Sequence, residues 1–358
     1  MLTAIAFIII LSVLVFVHEL GHFFVAKKNG VRVEEFGFGY PPRIFGVKRG
    51  ETIYSLNWIP FGGFVKIFGE DGEAKHSSYS FGSKKIWRRA TILLAGVIMN
   101  VLLGAALISV GYMLGLPTAI DDSQAVSGAR VQIVGVNDNS PAQLAGVKSG
   151  DFVISISDGQ EAVSLDKVIT MQGLVNQNGG KEIILTLHRG QENLSVKVTP
   201  RLSPPAGEGA LGVALARVIK TSYPWYRAIY EGIITTAGLI WAIVAALGYL
   251  IWQLISHGRA IGGEVAGPVG IYSITGQAAQ MGFIYLLQLA ALLSINLAII
   301  NALPFPALDG GRMLFLIIEK IKGSPVSATV EKAVHTAGFA FLIILMLLIT
   351  IRDLTKIF

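Results

Sequence analysis

The sequence predicts a polytopic α-helical membrane protein with about four spanning helices, a membrane-associated β-hairpin and one inserted extracytoplasmic α+β domain. Three observations predict this class. Hydrophobic residues make up 53% of the 358 residues and charged residues only 15%, where a soluble domain carries about 25% charged residues. Apolar runs long enough to cross a bilayer recur along the chain. Between two of these runs lies a polar stretch whose alternation predicts strands.

The predicted segments have a definite order along the chain. The list is 1–26, first spanning helix; 27–90, cytoplasmic or membrane-dipping β region; 91–115, second spanning helix; 127–217, soluble domain; 218–281, membrane-associated helix and loop; 282–312, third spanning helix; and 313–358, connecting segment and fourth spanning helix. Segment 1–26 is not predicted to be a cleaved signal peptide, because it lacks a basic start and a small-residue cleavage site. The chain has no Cys, so no disulfide is predicted.

Charge predicts the orientation of the chain in the bilayer. Segment 27–89 has 12 Lys/Arg and 6 Asp/Glu, a net of +6, whereas 116–225 has 9 Lys/Arg and 10 Asp/Glu, a net of −1. The positive-inside rule therefore puts 27–89 in the cytoplasm and 116–225 outside. The charges are dispersed and of mixed sign, so we expect the lipid bilayer and no nucleic acid as a partner.

The first apolar run contains a metal-binding pattern. His18, Glu19 and His22 follow seventeen residues without a charge, at a depth where ionisable groups are costly and usually functional. On a helix, positions i and i+4 share a face, so both imidazoles can hold one metal ion. A carboxylate beside that ion is placed to take a proton from the attacking water. A pair of buried, hydrogen-bonded histidines is the alternative.

A third ligand is needed, and Asp309 is the best candidate. It follows the apolar run 283–300 and the prolines Pro304 and Pro306, which cannot continue a helix. Broken backbone at membrane depth is tolerated when it is buried in protein or lines a wet cavity. The alternative is that Asp309 simply caps the next helix. The remaining histidines lie in more polar or uncertain settings: His76, His188, His257 and His335.

The segment 51–69 alternates apolar with small or polar residues and predicts a β-hairpin whose turn lies around 60–63. An edge strand of such a hairpin can pair with an unwound substrate. A soluble cytosolic hairpin is the alternative.

Two motifs together resemble the site-2 protease family, and the order of parts is similar to the bacterial regulator-of-sigma-E protease group. They are His18-Glu19-Leu20-Gly21-His22-Phe23 and Asn301-x-x-Pro304-x-Pro306-x-Leu308-Asp309-Gly310. The resemblance covers nearly the whole chain and includes 37–42, 57–66 and 267–271. It implies a monomeric zinc (Zn²⁺) endopeptidase of the bacterial inner membrane that cuts single-pass substrates such as trimmed anti-sigma factors or signal-peptide remnants. It also implies that the β-hairpin dips into the membrane.

The soluble segment resembles a permuted PDZ domain. Strands are predicted at 131–136, 152–156, 182–188 and 194–199, with a short helix and turn over 140–151 and a helix over 166–176. Segment 211–214 is predicted as the edge strand that accepts a peptide terminus. A steric filter with an unused groove is the alternative. The chain has room for one PDZ-like domain, where well-known members of the group have two, which leaves the mode of substrate gating open.

The predicted mechanism uses His18, His22 and Asp309 as zinc ligands and Glu19 as the general base that passes its proton to the leaving amine. Asn301 is a candidate donor to the substrate backbone or oxyanion, or else a buried residue that ties helices together. One rival function is a non-proteolytic PDZ-bearing membrane scaffold with a structural metal, for which Glu19 is dispensable. The other is a metal-ion transporter, which needs polar residues across the bilayer that the chain hardly offers.

Counting crossings gives a last prediction. The external domain precedes 226–256, which has 25 uncharged residues over 232–256 and is long enough to span. If 226–256 crossed, Asp309 would lie near the outer face, most of a ~30 Å core away from His22. We therefore expect 226–256 to pack in the outer leaflet, with re-entrant chain over 258–270, four full crossings and both termini outside. Five ordinary helices with a re-entrant loop are the alternative.

Overall fold

The computed structural model describes residues 2–70, 77–159, 161–190, 192–205, 207–257 and 266–357. The chain folds into two compact units. We call Met1–Val110, Ile229–Gly276 and Leu286–Phe358 the membrane unit, and Gly111–Ala228 with Gln277–Tyr285 the inserted unit. The inserted unit is therefore wider than the predicted domain 127–217, because it includes flanking strands and helix ends.

Nine α-helices form within the described residues: α1 Leu2–Lys28, α2 Ile86–Leu114, α3 Pro141–Leu144, α4 Val168–Gln177, α5 Trp225–His257, α6 Pro268–Met281, α7 Phe283–Ala302, α8 Asp309–Lys322 and α9 Ala328–Ile357. One predicted helix, 282–312, is divided. It ends at Ala302 and resumes at Asp309, because Pro304 and Pro306 cannot continue the helix and free the backbone between them.

Five of these helices are long and apolar enough to cross a membrane, judged by length and composition. They are Leu2–Lys28, Ile86–Leu114, Trp225–Gln253, Phe283–Ala302 and Ala328–Thr355. The chain is thus a polytopic membrane protein with an inserted β-rich unit. The predicted count of about four crossings leaves out Trp225–Gln253, and it stays a prediction. The first part of the predicted re-entrant stretch, 258–265, lies outside the described residues.

The strands β1 (Val33–Arg49) and β2 (Thr52–Ile67) form the hairpin of the membrane unit. The turn lies at Gly50, whose φ of +65° suits glycine, and not at 60–63 as predicted. Residues 60–63 instead bend β2. The bend lets β1 pair twice: Phe36 pairs with Tyr54 and Val65, and Gly37 with Ser55 and Phe64. The alternation of 51–69 thus correctly predicts β structure, whereas the predicted turn position is wrong.

Seven strands form the sheet of the inserted unit: β3 Leu116–Ala119, β4 Arg130–Val136, β5 Phe152–Ser157, β6 Ala162–Ser164, β7 Ile183–Arg189, β8 Glu192–Val198 and β9 Val213–Thr221. The order is β3-β9-β4-β5-β7-β8, with β6 beside β5. Its core contains Val131, Ile133, Met171, Ile183 and Leu187, none more than 1% exposed. The strands and helices predicted over 131–199 are present, shifted by one or two residues.

The prediction that 211–214 is an edge strand needs a correction. β9 lies inside the sheet, with β4 on one side and β3 on the other. β3 pairs with Val218–Thr221, and the Ile120 N–H donates to the Arg217 carbonyl oxygen. Among the described residues, only 213–216 of β9 therefore have no strand partner on that side.

The Gly150-Asp151 step before β5 is fixed by an ion pair. Asp151 is 1% exposed; its carboxylate accepts from the Lys148 N–H and from Nε and Nη2 of Arg189. The hydrogen bond and the negative charge of Asp151 raise the pKa of the Arg189 guanidinium. A short helix and turn are predicted over 140–151. The Asp151–Arg189 pair stabilises that turn and joins it to β7.

Candidate metal centre and active site

Helix α1 places two imidazoles on one face, one turn apart. His18 and His22 are each 6% exposed, and their Nε2 atoms lie 3.1 Å from each other. Asp309, the first residue of α8, brings its Oδ2 to 3.0 Å from His18 Nε2 and 3.3 Å from His22 Nε2. The structure thus brings together the three predicted ligands, although 291 positions separate His18 from Asp309.

The three atoms fit one tetrahedral ion. Ligand bonds of about 2.0–2.1 Å at tetrahedral angles separate neighbouring ligand atoms by about 3.3 Å, close to the three distances given above. Gly96 of α2 closes this space. A Cβ at Gly96 would lie 2.7 Å from His18 Nε2 and closer still to His22 Nε2. Only a glycine there leaves room beside the imidazole nitrogens.

Helix α2 also contacts the far side of each imidazole. His22 Nδ1 lies 2.8 Å from the Ile92 carbonyl oxygen, so its N–H donates there and its Nε2 lone pair faces the centre. His18 Nδ1 lies 3.3 Å from Nδ2 of the fully buried Asn100. Ile92, Gly96 and Asn100 recur every four residues and form one stripe on α2.

A second glycine allows the two helices to approach this closely. A Cβ at Gly21 would lie 2.5 Å from the Ala95 carbonyl oxygen. The glycine inside the His18–His22 motif therefore sets the distance between α1 and α2, and with it the fit of Gly96 against the imidazoles.

Glu19 lies beside the three ligands but is oriented by the hairpin. Its Oε2 accepts a hydrogen bond of 3.1 Å from the Val65 N–H of β2. The hairpin is itself attached to α1 by the Ser12 hydroxyl, which donates to the Pro60 carbonyl oxygen at 2.5 Å. The sequence did not reveal these contacts, because they join segments with no common periodicity.

Asn301 lies in the last turn of α7, just before the bend that leads to Asp309. It is half-buried and does not belong to the group of three ligand atoms. Two of the other histidines have different partners: His188 contacts Asn193, and His335 accepts from the Ala307 N–H. His76 lies outside the described residues, and the His257 side chain is not described.

The sequence alone assigned neither Gly96 nor Asn100 a role at the metal centre. The four-residue repeat of Ile92, Gly96 and Asn100 was the available signal. A glycine and an asparagine on one face of an apolar helix indicate a close, polar contact with another helix.

This arrangement defines the class of the protein as a membrane-embedded metallohydrolase. The model of peptidase family M50 matches residues 6–345, and the chain belongs to that family. The chain is 31% identical to the regulator of sigma-W protease RasP of Bacillus subtilis, over 99% of each chain. It is 33% identical to the zinc metalloprotease RasP of Bacillus licheniformis, also over 99% of each. The protein is a zinc-dependent intramembrane metalloprotease with a multi-pass location in the bacterial inner membrane.

Replacing Gly96 by Ala tests the fit of the centre. The added methyl group would occupy the space beside His18 Nε2, so we expect zinc content to fall at least tenfold. Zinc per chain, measured by elemental analysis of purified protein, gives the answer. Gly238→Ala is the matched control, because a Cβ there meets no atom within 4 Å. Full zinc content in Gly96→Ala would contradict the placement of the ion.

Proposed function

We propose that this protease uses His18, His22 and Asp309 as zinc ligands and Glu19 as general base to cleave the transmembrane segments of single-pass proteins. One observation carries the proposal. Two imidazoles and a carboxylate converge to 3.0–3.3 Å at the end of an apolar helix, beside a second carboxylate that is not a member of the triangle. A scaffold with a structural metal gives no reason for that second carboxylate.

Each side chain has its own task in this mechanism. When bound, zinc supplies the positive charge that polarises the substrate carbonyl and acidifies the attacking water. Glu19 accepts the proton of that water and passes it to the leaving amine. The Val65 N–H holds one oxygen of the Glu19 carboxylate and so restricts its orientation. Asn301, at the end of α7, is the candidate donor to the substrate backbone or to the oxyanion.

Asn100 selects the tautomer of His18. Its Oδ1 is buried and has no hydrogen-bond partner among the described residues, whereas its Nδ2 faces His18 Nδ1. Rotating the amide by 180° exchanges these two atoms. The oxygen then accepts from the His18 Nδ1–H, and the Nε2 lone pair is free for the metal. The Ile92 carbonyl does the same for His22.

The hairpin supplies the surface on which a substrate can unwind. A transmembrane helix satisfies all its own backbone hydrogen bonds, so a segment must lose helical structure before it is cut. In the described part of the chain, residues 63–67 pair with β1 and with no other strand, and the Val65 N–H donates to Glu19. An extended substrate that pairs with this edge would lie next to the general base. Helix-breaking residues in the substrate should therefore favour cleavage.

Three substitutions separate metal binding from proton transfer. Wild-type protein should hold about one zinc per chain, and His22→Ala or Asp309→Ala should lose most of it. Glu19→Gln should keep zinc and lose cleavage of a single-pass substrate by about 100-fold or more, because its role is proton transfer. His188→Ala, in the inserted unit, is the matched control for losing an imidazole.

Elemental analysis and a cleavage assay with and without chelator provide the two measurements. Stoichiometric zinc in both His22→Ala and Asp309→Ala would exclude this ligand set. Normal turnover by Glu19→Gln would remove the mechanism and favour the scaffold.

The substrate is proposed to be of the anti-sigma-factor type, cut after its external part has been trimmed, and the enzyme to act as a monomer. The relative from Bacillus subtilis is named a regulator of sigma-W protease, which supports this choice. The inserted unit is proposed to be a PDZ-like domain that gates access. Four residues of β9, 213–216, keep one side open, which suits a short peptide terminus. Exclusion of bulky external domains is the other way in which the unit could gate.

The two modes of gating differ in what deletion does. Ala119 and Val218 are paired neighbours on β3 and β9, so a two-residue Asn-Gly turn can replace 120–217 with little strain on the flanking strands. If the unit is a size filter, we expect this deletion to permit cleavage of untrimmed substrates and to leave the cleavage of short substrates unchanged. Capture of a new terminus predicts reduced cleavage of trimmed substrates instead. An unchanged rate for both classes would contradict both modes.

Helix α5 is proposed to lie in the outer leaflet. Its start contacts α2 far from the metal centre, since a Cβ at Gly232 would lie 3.0 Å from the Ser109 backbone nitrogen. After α5, the Gly267 and Gly270 N–H groups donate to Asp353 near the end of α9, and Gly276 lies beside Thr3 at the start of α1. Thr3 precedes His18 by fifteen residues, about 22 Å of helix.

The start of α5 and the chain from Gly267 onward thus contact the side of the membrane unit remote from the metal. If α5 crossed the bilayer, its end at His257 would lie most of a core of about 30 Å from Gly267, with only nine residues of sequence between them. The aromatic residues exposed along α5 suit an interfacial position: Trp225, Tyr226, Tyr230, Trp241, Tyr249 and Trp252. This supports four full crossings with both termini outside.

Single cysteines in this Cys-free chain test the topology. A membrane-impermeant thiol reagent applied outside should label Ser256→Cys, at the end of α5, and not Ser324→Cys, between α8 and α9. Labelling after permeabilisation shows that both thiols are reactive. The reverse pattern from outside would overturn the four-crossing topology.

A further inference from the structure

The segment that delivers Asp309 to the metal centre has an unfavourable backbone. It joins α7 to α8 over residues 303–308. Ala307, two positions before Asp309, has a φ of +76°, a left-handed conformation that residues with a side chain rarely adopt. Such a conformation persists only where the surroundings impose it.

Helix α9 supplies those surroundings. His335 Nδ1 accepts a hydrogen bond of 2.8 Å from the Ala307 N–H. A Cβ at Gly338 would lie 2.7 Å from the Pro306 carbonyl oxygen, so Pro306 rests directly on the helix backbone. The rings of Phe341 and Phe305 are 5.7 Å apart.

The three contacts form one ordered set. His335, Gly338 and Phe341 are spaced by three residues and lie along one side of α9, where they meet three successive residues of the segment in reverse order. We call these three residues of α9 the seat. The His335 ring also packs on Phe315 of α8, at 5.4 Å between centroids. One imidazole therefore touches the segment before Asp309 and the helix that Asp309 begins.

We propose that His335 is a positioning residue. Together with the other two residues of the seat, it fixes the Ala307 conformation and so orients the Asp309 carboxylate toward His18 and His22. The proposal rests on the proposed function, in which Asp309 is the third zinc ligand. His335 acts as a neutral acceptor at Nδ1. It does not touch the metal or the substrate.

Two substitutions at His335 isolate the acceptor. His335→Phe keeps a ring against Phe315 but removes the acceptor, and we expect zinc affinity to weaken about 10- to 100-fold. His335→Asn carries an acceptor oxygen at nearly the position of Nδ1 and should stay within about threefold of wild type. Thr336→Ala, on another side of α9, is the matched control. Zinc affinity is measured by competition with a chelator on the full-length protein.

Hydrogen exchange gives a readout that needs neither metal nor activity. In chelated protein, the Ala307 amide should exchange about tenfold faster or more in His335→Phe than in wild type, and His335→Asn should restore protection. Amides of the inserted unit report whether each variant is folded. In the zinc-loaded enzyme, kcat should fall with KM unchanged, because Asp309 is misaimed while substrate binding is intact.

Gly338→Ala provides a second, independent variant, since its methyl group displaces Pro306 and leaves His335 in place. It should weaken zinc binding as His335→Phe does. Wild-type zinc affinity and Ala307 exchange in either His335→Phe or Gly338→Ala would overturn the proposal, as would equal defects in His335→Phe and His335→Asn. If Asp309→Ala loses zinc while both seat variants keep it, only the positioning role fails. If Asp309→Ala keeps zinc, the ligand set itself fails.

Discussion

The structure depends on one geometric constraint: three ligand atoms must lie about 3.3 Å apart inside an apolar bundle. Two of them come from one turn of α1, but the third comes from a helix that starts 291 positions later. Ionisable groups at this depth are costly unless they are paired. In the proposed mechanism, the convergence of His18, His22 and Asp309 allows all three to share a single cation. The glycines at the centre follow from that requirement, since Gly21 lets α2 approach α1 and Gly96 leaves the space beside the imidazoles.

The same constraint explains why helices end where they do. A continuous helix over 282–312 would place Asp309 further along the helix axis. The backbone groups of 303–308 would then be used in helical hydrogen bonds and could make no other contacts. The break at Ala302 and the restart at Asp309 allow a carboxylate at the first turn of α8 to turn back toward α1. The break requires a left-handed conformation at Ala307 and leaves backbone groups of 303–308 without helical hydrogen bonds. Contacts from α9 offset both, because His335 takes the Ala307 N–H and Gly338 admits Pro306.

The sequence predicted what depends on local spacing. The pairing of His18 with His22 is a consequence of helical periodicity, and the strands over 131–199 follow from alternation. Asp309 could be predicted as the third ligand because an acidic residue close to two prolines in an apolar region has few structural roles. The hairpin turn was misplaced, since Gly50 and the glycines of 62–63 are equally good turn residues and only tertiary pairing of β1 with both halves of β2 distinguishes them. The contact of Val65 with Glu19 also depends on tertiary structure, because it joins β2 to α1, and these segments have no common periodicity.

The division of the chain into two units separates the residues of the candidate metal centre from the unit that is proposed to select substrates. The side chains that form the centre, His18, Glu19, His22 and Asp309, belong to the membrane unit, as do Gly96 and Asn100 on α2 and Val65 on β2. No residue of the inserted unit is among these contacts in the described chain. Six of these seven residues precede the inserted unit in the chain, and Asp309 follows it. Insertion between α2 and α5 is therefore compatible with a preassembled centre. Under the proposed gating role, changes in the inserted unit would alter substrate selection and leave the proposed zinc ligands unchanged.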